Sequence, residues 1–420
     1  MLLSDVRRIG RTALPLYLSM VAVSLSALVN TAALGRYGTD ALAGFAVTVA
    51  VYFPAMAAVT GAVRGVMPFV AAKADDPPGL VRVVRDGTWL AVFVGVPAAG
   101  AVACVPLIAQ ASGVSPETVG QLGPFPMLMA IGVLCNGFGS MATSSLVGLG
   151  QSKIVLRAGL VGAASIAVLS PLLVAKLGLN GAGIALCTAN LVSCLITVAG
   201  LRQQLPGRPN LRIHLGQIAA LAKVGVPLAG TVLIKLAVLG VLAIAAARVS
   251  ATAAAAHNIA AAVASLTFTA AVAIGQAVVP IVSTRTDARR VITAGLLITA
   301  TTLSAISAVV VLGNVHRFFT EDPAVVDAVA HLLGLLVLVV LADGLQAVLG
   351  FGLTGLKRTT PSLVVFAVCY GVLAFGAIPA ARYGLTGLWV ALAAANLAVA
   401  VGQGIAFRKA GQPLQHPAPS

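Results

Sequence analysis

Residues 327–351 read DAVAHLLGLLVLVVLADGLQAVLGF, an apolar run that is interrupted about two-thirds of the way along by Asp343. An α-helix needs about 20 apolar residues to cross the hydrocarbon core of a bilayer. The stretch is long enough for this, and it contains no proline that would break a helix. It therefore predicts a membrane-spanning helix that carries an acidic group within the bilayer.

Composition extends this interpretation to the whole chain. Of its 420 residues, 59% are apolar and only 9% are charged, and the mean hydropathy is +1.04. A soluble protein of this size would need about a quarter of its residues charged to cover its surface. The composition therefore excludes a set of soluble domains, a disordered chain and a disulfide scaffold. It indicates a protein whose surface faces the lipid bilayer.

The chain contains twelve apolar stretches of this kind, which predict twelve membrane spans. Their approximate ranges are 12–34, 41–63, 87–110, 121–147, 154–175, 181–201, 222–246, 252–280, 290–313, 327–351, 360–381 and 386–407. No connection between two spans is long enough to hold a soluble domain. The expected fold class is therefore an all-α integral membrane protein with twelve transmembrane helices.

Basic residues predict the orientation of these spans. Twenty of the 26 lysines and arginines lie on one side of the alternating spans, five lie on the other side, and Lys235 lies within a span. Because cytoplasmic segments carry an excess of Lys and Arg, both termini are expected in the cytoplasm. The basic residues come singly or in twos and threes, so the net charge of +15 does not indicate a nucleic-acid site.

The two halves of the sequence resemble each other. Pro15 and Pro227 stand 212 positions apart, and the segment GLNG at 178–181 returns as GLTG at 384–387, which is 206 positions later. This small drift is what a duplication followed by short deletions leaves behind.

Each half contains six predicted spans, so both halves insert into the membrane the same way up. We expect an N-terminal lobe over residues 1–207 and a C-terminal lobe over residues 208–420. A pseudo-two-fold axis along the membrane normal should relate them. Transporters built from such repeats usually place their site near the bilayer midplane, and alternate access by rocking one lobe against the other.

Two ionisable side chains are predicted in the middle of the bilayer, Lys235 on the seventh span and Asp343 on the tenth. A charged group at this depth costs several kcal/mol and usually faces a cavity or a partner. The two residues can form a titratable pair that gains and loses a proton during transport, or a static ion pair that fixes helix packing. We favour the first interpretation, because a static pair can be replaced by two leucines at little cost.

Uncharged polar side chains within the spans are further candidates for a substrate cavity: Asn30, Thr31, Tyr52, Asn136, Asn190, His257, Asn258, Gln276, Gln346 and Asn396. Amides inside membranes often hydrogen-bond between helices without any ligand, so a packing role is the first expectation for each of them. Asn190 and Asn396 occupy equivalent positions of the two repeats, which favours packing further. His257 can titrate near neutral pH or bond a neighbouring carbonyl.

Motifs for enzymatic chemistry or metal binding are missing from the sequence. The five cysteines lie in apolar stretches without a C-x-x-C pair. Neither a Walker A sequence nor a metalloprotease motif occurs. We therefore expect no catalytic residues, no metal and no cofactor, and an ion gradient rather than ATP as the energy source.

Several segments resemble the multidrug and toxic compound extrusion (MATE) family. They are ALPL at 13–16, LVNTAALGRYGTDALA at 28–43, AAHNIA at 255–260, IGQA at 274–277, DGLQ at 343–346 followed by LTG at 353–355, and YGLTGLW at 383–389. The resemblance covers residues 8–408. It implies a monomeric antiporter in the bacterial plasma membrane that expels small organic, often cationic compounds in exchange for H⁺ or Na⁺.

The resemblance also implies roles for single residues. Asp343 matches the tenth-span acid that bacterial multidrug members use in cation coupling. The family's first-span acid falls on Asn30, which cannot titrate, and its seventh-span glutamate falls on Lys235, which reverses the charge. These departures lead to the hypothesis that the second lobe couples to protons, that Asp343 and Lys235 share the titration, and that Na⁺ plays no part.

Two alternatives stay open at this stage. A flippase of the same superfamily would move a lipid-linked substrate, but such members tend to carry several cationic residues in the cavity, whereas Lys235 is the one intramembrane base of this sequence. A membrane protein that transports nothing is the second alternative, because the first-span acid has been lost.

Overall fold

The computed structural model describes residues 2–207, 212–285 and 287–410, and this part of the chain folds into α-helices joined by short turns, without a β-strand. In chain order the helices are α1 (Leu2–Tyr37), α2 (Thr39–Arg64), α3 (Met67–Ala71), α4 (Pro77–Ala103), α5 (Val105–Ala111), α6 (Pro116–Gln121), α7 (Phe125–Gly148), α8 (Ser152–Gln204), α9 (Leu215–Val249), α10 (Ala251–Thr284), α11 (Ala288–Leu312), a 3-10 turn (Val315–Phe318), α12 (Pro323–Gly355), α13 (Thr360–Ala381) and α14 (Gly384–Ala410).

Eleven helical stretches in the described part are long and apolar enough to cross a membrane. One of them, α8, has 53 residues and would be about 80 Å long at about 1.5 Å per residue. That length is more than twice the hydrocarbon core of about 30 Å. It accommodates both the fifth and the sixth predicted span, so the prediction of an all-α protein with twelve spans is confirmed.

Gly178 divides α8 into these two spans. Its backbone has φ 56° and ψ −131° inside the helix, a conformation that residues with a Cβ atom adopt only at a cost. A Cβ atom at this position would also lie 2.7 Å from the ring of Tyr37. Glycine therefore permits the reversal between the two spans.

Some helix ends differ from the predicted spans, and capping residues explain the differences. Helix α4 begins ten residues before the predicted start at 87, because the Asp76 carboxylate accepts the backbone N–H of Gly79 at 3.1 Å and caps the helix. The Lys73 ammonium, 2.8 Å away, and this N–H hold the pKa of Asp76 below its ordinary value. The helix of the predicted third span ends early, at Ala103. A new helix, α5, begins at Val105 with Pro106 in its first turn.

Contacts divide the chain into two compact units. One comprises Pro15–Leu233, and the other combines Met1–Leu14 with Ile234–Ser420. The divisions fall within α1 and α9. The lobes predicted as 1–207 and 208–420 stay a prediction. They are defined by the repeated sequence, whereas these two units are defined by contacts.

Each unit has its own apolar core, and many large apolar side chains also point outward. In the first-named unit, Phe125, Val59 and Val133 are fully buried; in the other, Val278 is fully buried and Ile9 packs in the same cluster. Phe375 is 88% exposed. Apolar exposure on this scale is typical of a lipid-facing surface.

Candidate coupling site and polar residues of the spans

Lys235 and Asp343 form an ion pair. The Lys235 Nζ atom on α9 lies 2.6 Å from both carboxylate oxygens of Asp343 on α12. Their side chains are 17% and 12% exposed, so the pair is largely removed from solvent. Charge-assisted hydrogen bonds of this length are among the strong ones in proteins.

Two more side chains complete the surroundings of this pair. Gln346, one helical turn after Asp343, donates its side-chain N–H to Asp343 Oδ1 at 2.8 Å. On α10, the ring of Phe268 lies 3.8 Å from Lys235 Nζ, measured to the ring centre, which is a cation–π contact. The ammonium is therefore held between a carboxylate and an aromatic face, and the carboxylate accepts from two side chains.

Glycine beside Asp343 lets a neighbouring helix approach α12. A Cβ atom at Gly344 would lie 2.1 Å from the Leu303 side chain of α11 and 3.2 Å from that of Thr299. The close packing fixes α12 where it carries Asp343. The sequence next to Asp343 therefore contributes both Gly344, which permits the close packing, and Gln346, which bonds the carboxylate one turn later.

Tyr370 and Asn396 form a second buried polar contact in the same unit. The Tyr370 hydroxyl on α13 donates to Asn396 Oδ1 on α14 at 2.7 Å, and both side chains are buried. Asn396 bonds between helices, as expected of an amide with a packing role. Sequence reasoning missed Tyr370 and Phe268, since an aromatic residue in an apolar helix gives no signal of its partner.

The other candidate residues of this unit differ in their surroundings. His257 is buried, and its ring meets Trp389 edge-on with centroids 5.9 Å apart. Its Nδ1 and the Trp389 Nε1 have no hydrogen-bond partner. Gln276 is buried on α10, whereas Asn258 is exposed.

In the unit Pro15–Leu233, the predicted polar residues bond between helices. Asn30 Oδ1 on α1 accepts the hydroxyl of Ser170 on α8 at 2.7 Å. Asn190 donates to the Tyr52 hydroxyl at 3.4 Å. These contacts join α1 or α2 to α8 and satisfy amide groups that would otherwise be unpaired in an apolar interior.

Asn136 and Thr31 behave differently from each other. Asn136 donates to the Thr60 hydroxyl at 3.1 Å and accepts from Ser140 at 3.3 Å, which links α7 to α2. Thr31 is exposed, and its hydroxyl bonds the Ala27 carbonyl one turn earlier. The described residues contain no cluster of three or more His, Cys, Asp or Glu side chains that could hold a metal ion.

Comparison with known proteins decides the family. The MatE family model matches the chain twice, over residues 15–172 and 227–378. The chain belongs to the MatE family. The two matches begin 212 positions apart and end 206 positions apart, which are the offsets of the repeated sequence segments. The predicted MATE resemblance is confirmed, and the protein is a multi-pass membrane protein of a transporter family.

Individual relatives extend over nearly the whole chain. A probable multidrug resistance protein NorM of Bradyrhizobium diazoefficiens is 27% identical over 410 residues, which cover 90% of this chain and 88% of the relative. A probable multidrug resistance protein NorM of Deinococcus radiodurans is 27% identical over 420 residues, covering 93% and 92%. Both relatives match this MATE chain over 90% of its length or more.

Solved structures share the fold. A MOP superfamily transporter from Pyrococcus furiosus, described as having a binding pocket of reverse polarity, superposes with a TM-score of 0.87 at 17% identity and covers 96% of this chain and 95% of its own. A MATE structure in complex with MaD5 superposes with a TM-score of 0.85 at 17% identity, covering 96% of each chain. At this identity the likeness establishes the MATE fold alone.

Proposed function

We propose that this protein is a secondary active antiporter that exports small organic, drug-like compounds across the bacterial plasma membrane in exchange for protons. It works by alternating access, with both termini in the cytoplasm. The NorM relatives are named as probable multidrug resistance proteins, which supports the substrate class. The observation that carries the proposal is the ion pair of Lys235 with Asp343, and the MATE resemblance implies that Asp343 is the tenth-span coupling acid.

The surroundings of Asp343 favour a proton over Na⁺. A hard metal cation prefers a shell of several oxygen ligands. Both oxygens of Asp343 are taken by the Lys235 ammonium at 2.6 Å, and Gln346 presents its N–H to Asp343 rather than its oxygen. A metal ion entering this site would meet the positive charge of the Lys235 ammonium. It would also meet N–H donors from Lys235 and Gln346 where it needs oxygen acceptors. A proton can bind and leave the same pair without displacing a ligand.

The first repeat supports coupling through the second repeat alone. Asn30 replaces the acid that the family resemblance leads us to expect, and its amide oxygen accepts from Ser170 in a buried contact. An amide carries no proton that it can release near neutral pH. The exchanged proton therefore belongs to the unit that holds Lys235 and Asp343.

Resistance and transport measurements test this function. Expression in a host that lacks its own drug pumps should raise resistance to some members of a dye and drug panel. In proteoliposomes, an imposed pH gradient should drive uphill transport of those compounds, whereas a Na⁺ gradient should not. Asp343→Asn should abolish uphill transport, because the variant removes the carboxylate of the Lys235–Asp343 pair on which proton exchange depends.

Asp327→Asn is the matched control for this variant. Asp327 lies on the same helix and is exposed, so the same chemical change there should leave transport near the wild-type rate. Normal proton-driven export by Asp343→Asn, or export driven by Na⁺ alone, would refute the proposed coupling. A wild-type protein that confers no resistance and moves no member of the panel would refute the export function itself.

A further inference from the structure

We propose that the exchanged proton is carried on the Lys235 amine, and that a monovalent organic cation competes with the Lys235 ammonium for the carboxylate of Asp343. The pair seen in the structure is then the proton-loaded form of the carrier. The inference rests on the proposed antiport function and adds to it both the residue that carries the proton and the charge class of the substrate.

The contacts of Asp343 make the two cations mutually exclusive. Lys235 Nζ lies at 2.6 Å from each carboxylate oxygen, and Gln346 occupies a further position on Oδ1. A second cation at the same carboxylate would stand within a few ångströms of the ammonium, where the repulsion between like charges is strong in a poorly solvated site. The substrate cation can bind only after Lys235 has lost its charge.

Lysine is suited to this role because its charge is removable. A lysine ammonium can lose its proton when it is poorly solvated, whereas the guanidinium of arginine stays charged. Side chains in contact with the pair are Phe268 on α10 and Gln346 on α12, and the hydroxyl of Tyr370 on α13 is bonded to Asn396 on α14. None of these is a second acid or a second base that would titrate near neutral pH.

The Lys235 ammonium lies between the two kinds of group that bind organic cations. Lys235 Nζ lies 3.8 Å from the centre of the Phe268 ring, so the same position offers a carboxylate on one side and an aromatic face on the other. Organic ammonium and phosphonium ions bind to this combination through charge and cation–π attraction. A neutral amine on Lys235 no longer competes for either group.

The exchange balances in atoms and charge. On the cytoplasmic side, the Lys235 ammonium gives one proton to water and becomes a neutral amine, and the organic cation then pairs with the Asp343 carboxylate. On the outer side, where the pH is lower, the amine takes one proton from water and the new ammonium displaces the organic cation. The site is neutral in both forms, so one proton enters for each monovalent cation that leaves, and no net charge crosses the membrane.

Binding of tetraphenylphosphonium to the purified protein tests this inference without any transport. If binding requires the neutral amine, the apparent affinity should rise about tenfold per pH unit between pH 6 and pH 8, because the competent fraction of the protein rises by that factor. In weakly buffered solution at pH 7, each bound tetraphenylphosphonium ion should release about one proton. These two readings use the unaltered chain and do not depend on the folding of a variant.

Two substitutions of Lys235 separate this proposal from a proton carried by Asp343. Lys235→Arg keeps a charge that cannot be lost, so binding should vanish at every pH. Lys235→Gln removes the competitor, so binding at pH 7.5 should be at least about tenfold tighter than in the wild type. Unchanged pH-dependent binding by Lys235→Arg would show that Asp343 carries the proton and would overturn the inference.

The outcomes also distinguish this inference from the proposed function. If neither the wild type nor Lys235→Gln binds tetraphenylphosphonium, the competition is refuted, although the export of uncharged compounds can still be found in the resistance assay. Binding that shows no pH dependence refutes it equally. If binding behaves as expected and no compound is exported, the export function fails while the competition at Asp343 stands.

For the cation itself, transport should respond to the pH gradient and be insensitive to an imposed membrane potential.

Discussion

At the scale of single residues, Asn30 forms a buried neutral contact where the MATE resemblance predicts an acid. Its amide oxygen lies 2.7 Å from the Ser170 hydroxyl, and both residues are buried. A carboxylate at this position would have to be desolvated next to a neutral hydroxyl, whereas an amide needs only this one donor for its oxygen. The contact between α1 and α8 is therefore a neutral packing contact.

Ser170→Ala should weaken this contact. The variant leaves the Asn30 oxygen buried without a donor, which costs about 1–3 kcal/mol and should lower the midpoint of thermal unfolding in detergent by several degrees. Ser165→Ala is the matched control, because Ser165 is a half-buried residue of the same helix whose hydroxyl bonds the Val161 carbonyl one turn earlier. Equal midpoints for the two variants would contradict the structural role of Ser170.

Predicting the Lys235–Asp343 pair from sequence succeeds for its charges and fails for its neutral neighbours. Lys235 and Asp343 can be recognised because a charge inside an apolar span is costly and seeks a partner. Phe268 cannot be recognised in this way, because which face of an apolar helix turns toward the pair depends on packing between helices. Asp343 and Gln346 are one turn apart on the same helix, so only that contact is encoded locally.

At the scale of the helices, the start of α1 is held by a buried acid. Asp5 is 1% exposed, and its two oxygens accept from Arg285 at 2.6 Å and from Arg290 Nε at 2.9 Å. Ile9 and Ala13 follow at intervals of four residues and are also buried. This spacing turns one face of the first helical turns toward the rest of their own unit, while Arg7, Arg8 and Arg11 stay exposed.

Asp5→Asn should loosen the first turns of α1. The variant removes the charge that both arginines share, and charge-assisted hydrogen bonds contribute more than neutral ones. We expect amide hydrogen exchange in residues 3–12 to become about tenfold faster, and trypsin to cleave more readily after the exposed Arg7, Arg8 and Arg11. The measurement is peptide-resolved exchange together with limited proteolysis of the full chain in detergent.

Asp75→Asn provides the comparison for Asp5→Asn. Asp75 is exposed in the turn after α3 and has the same chemistry, so its replacement should leave exchange and cleavage at the start of α1 unchanged. If both variants behave like the wild type, the arginine contacts of Asp5 do not hold the helix.

At the scale of the whole molecule, the number and length of the spans follow from apolar composition, whereas the turns between them do not. Each of the twelve predicted ranges falls largely within a helix because lipid exposure demands a long apolar stretch whatever its packing. The reversal at Gly178 depends on a left-handed φ and on the nearby Tyr37 ring. Lys176 and Asn180 interrupt the apolar sequence here and separate the fifth predicted span from the sixth, but they do not indicate the left-handed backbone of Gly178.

The reversal at Gly178 determines the parity of the spans and therefore the side on which the termini lie. If α8 forms two spans, its first and last residues lie on the same side of the membrane and its middle lies on the other. If α8 crossed only once, all segments after residue 178 would be inverted. The excess of Lys and Arg favours two spans, with the middle of α8 outside.

Cysteine labelling in whole cells tests this topology. After the five natural cysteines have been replaced, single cysteines are introduced as Lys153→Cys, Lys176→Cys and Arg202→Cys, all of which are exposed positions of α8. A membrane-impermeant maleimide should label Lys176→Cys in intact cells, whereas the other two variants should react only after the membrane is opened. Labelling of Arg202→Cys but not Lys153→Cys in intact cells would mean that α8 crosses once. The chain would then have eleven spans, and the orientation of the second repeat, with its Lys235–Asp343 pair, would be the opposite of the one proposed.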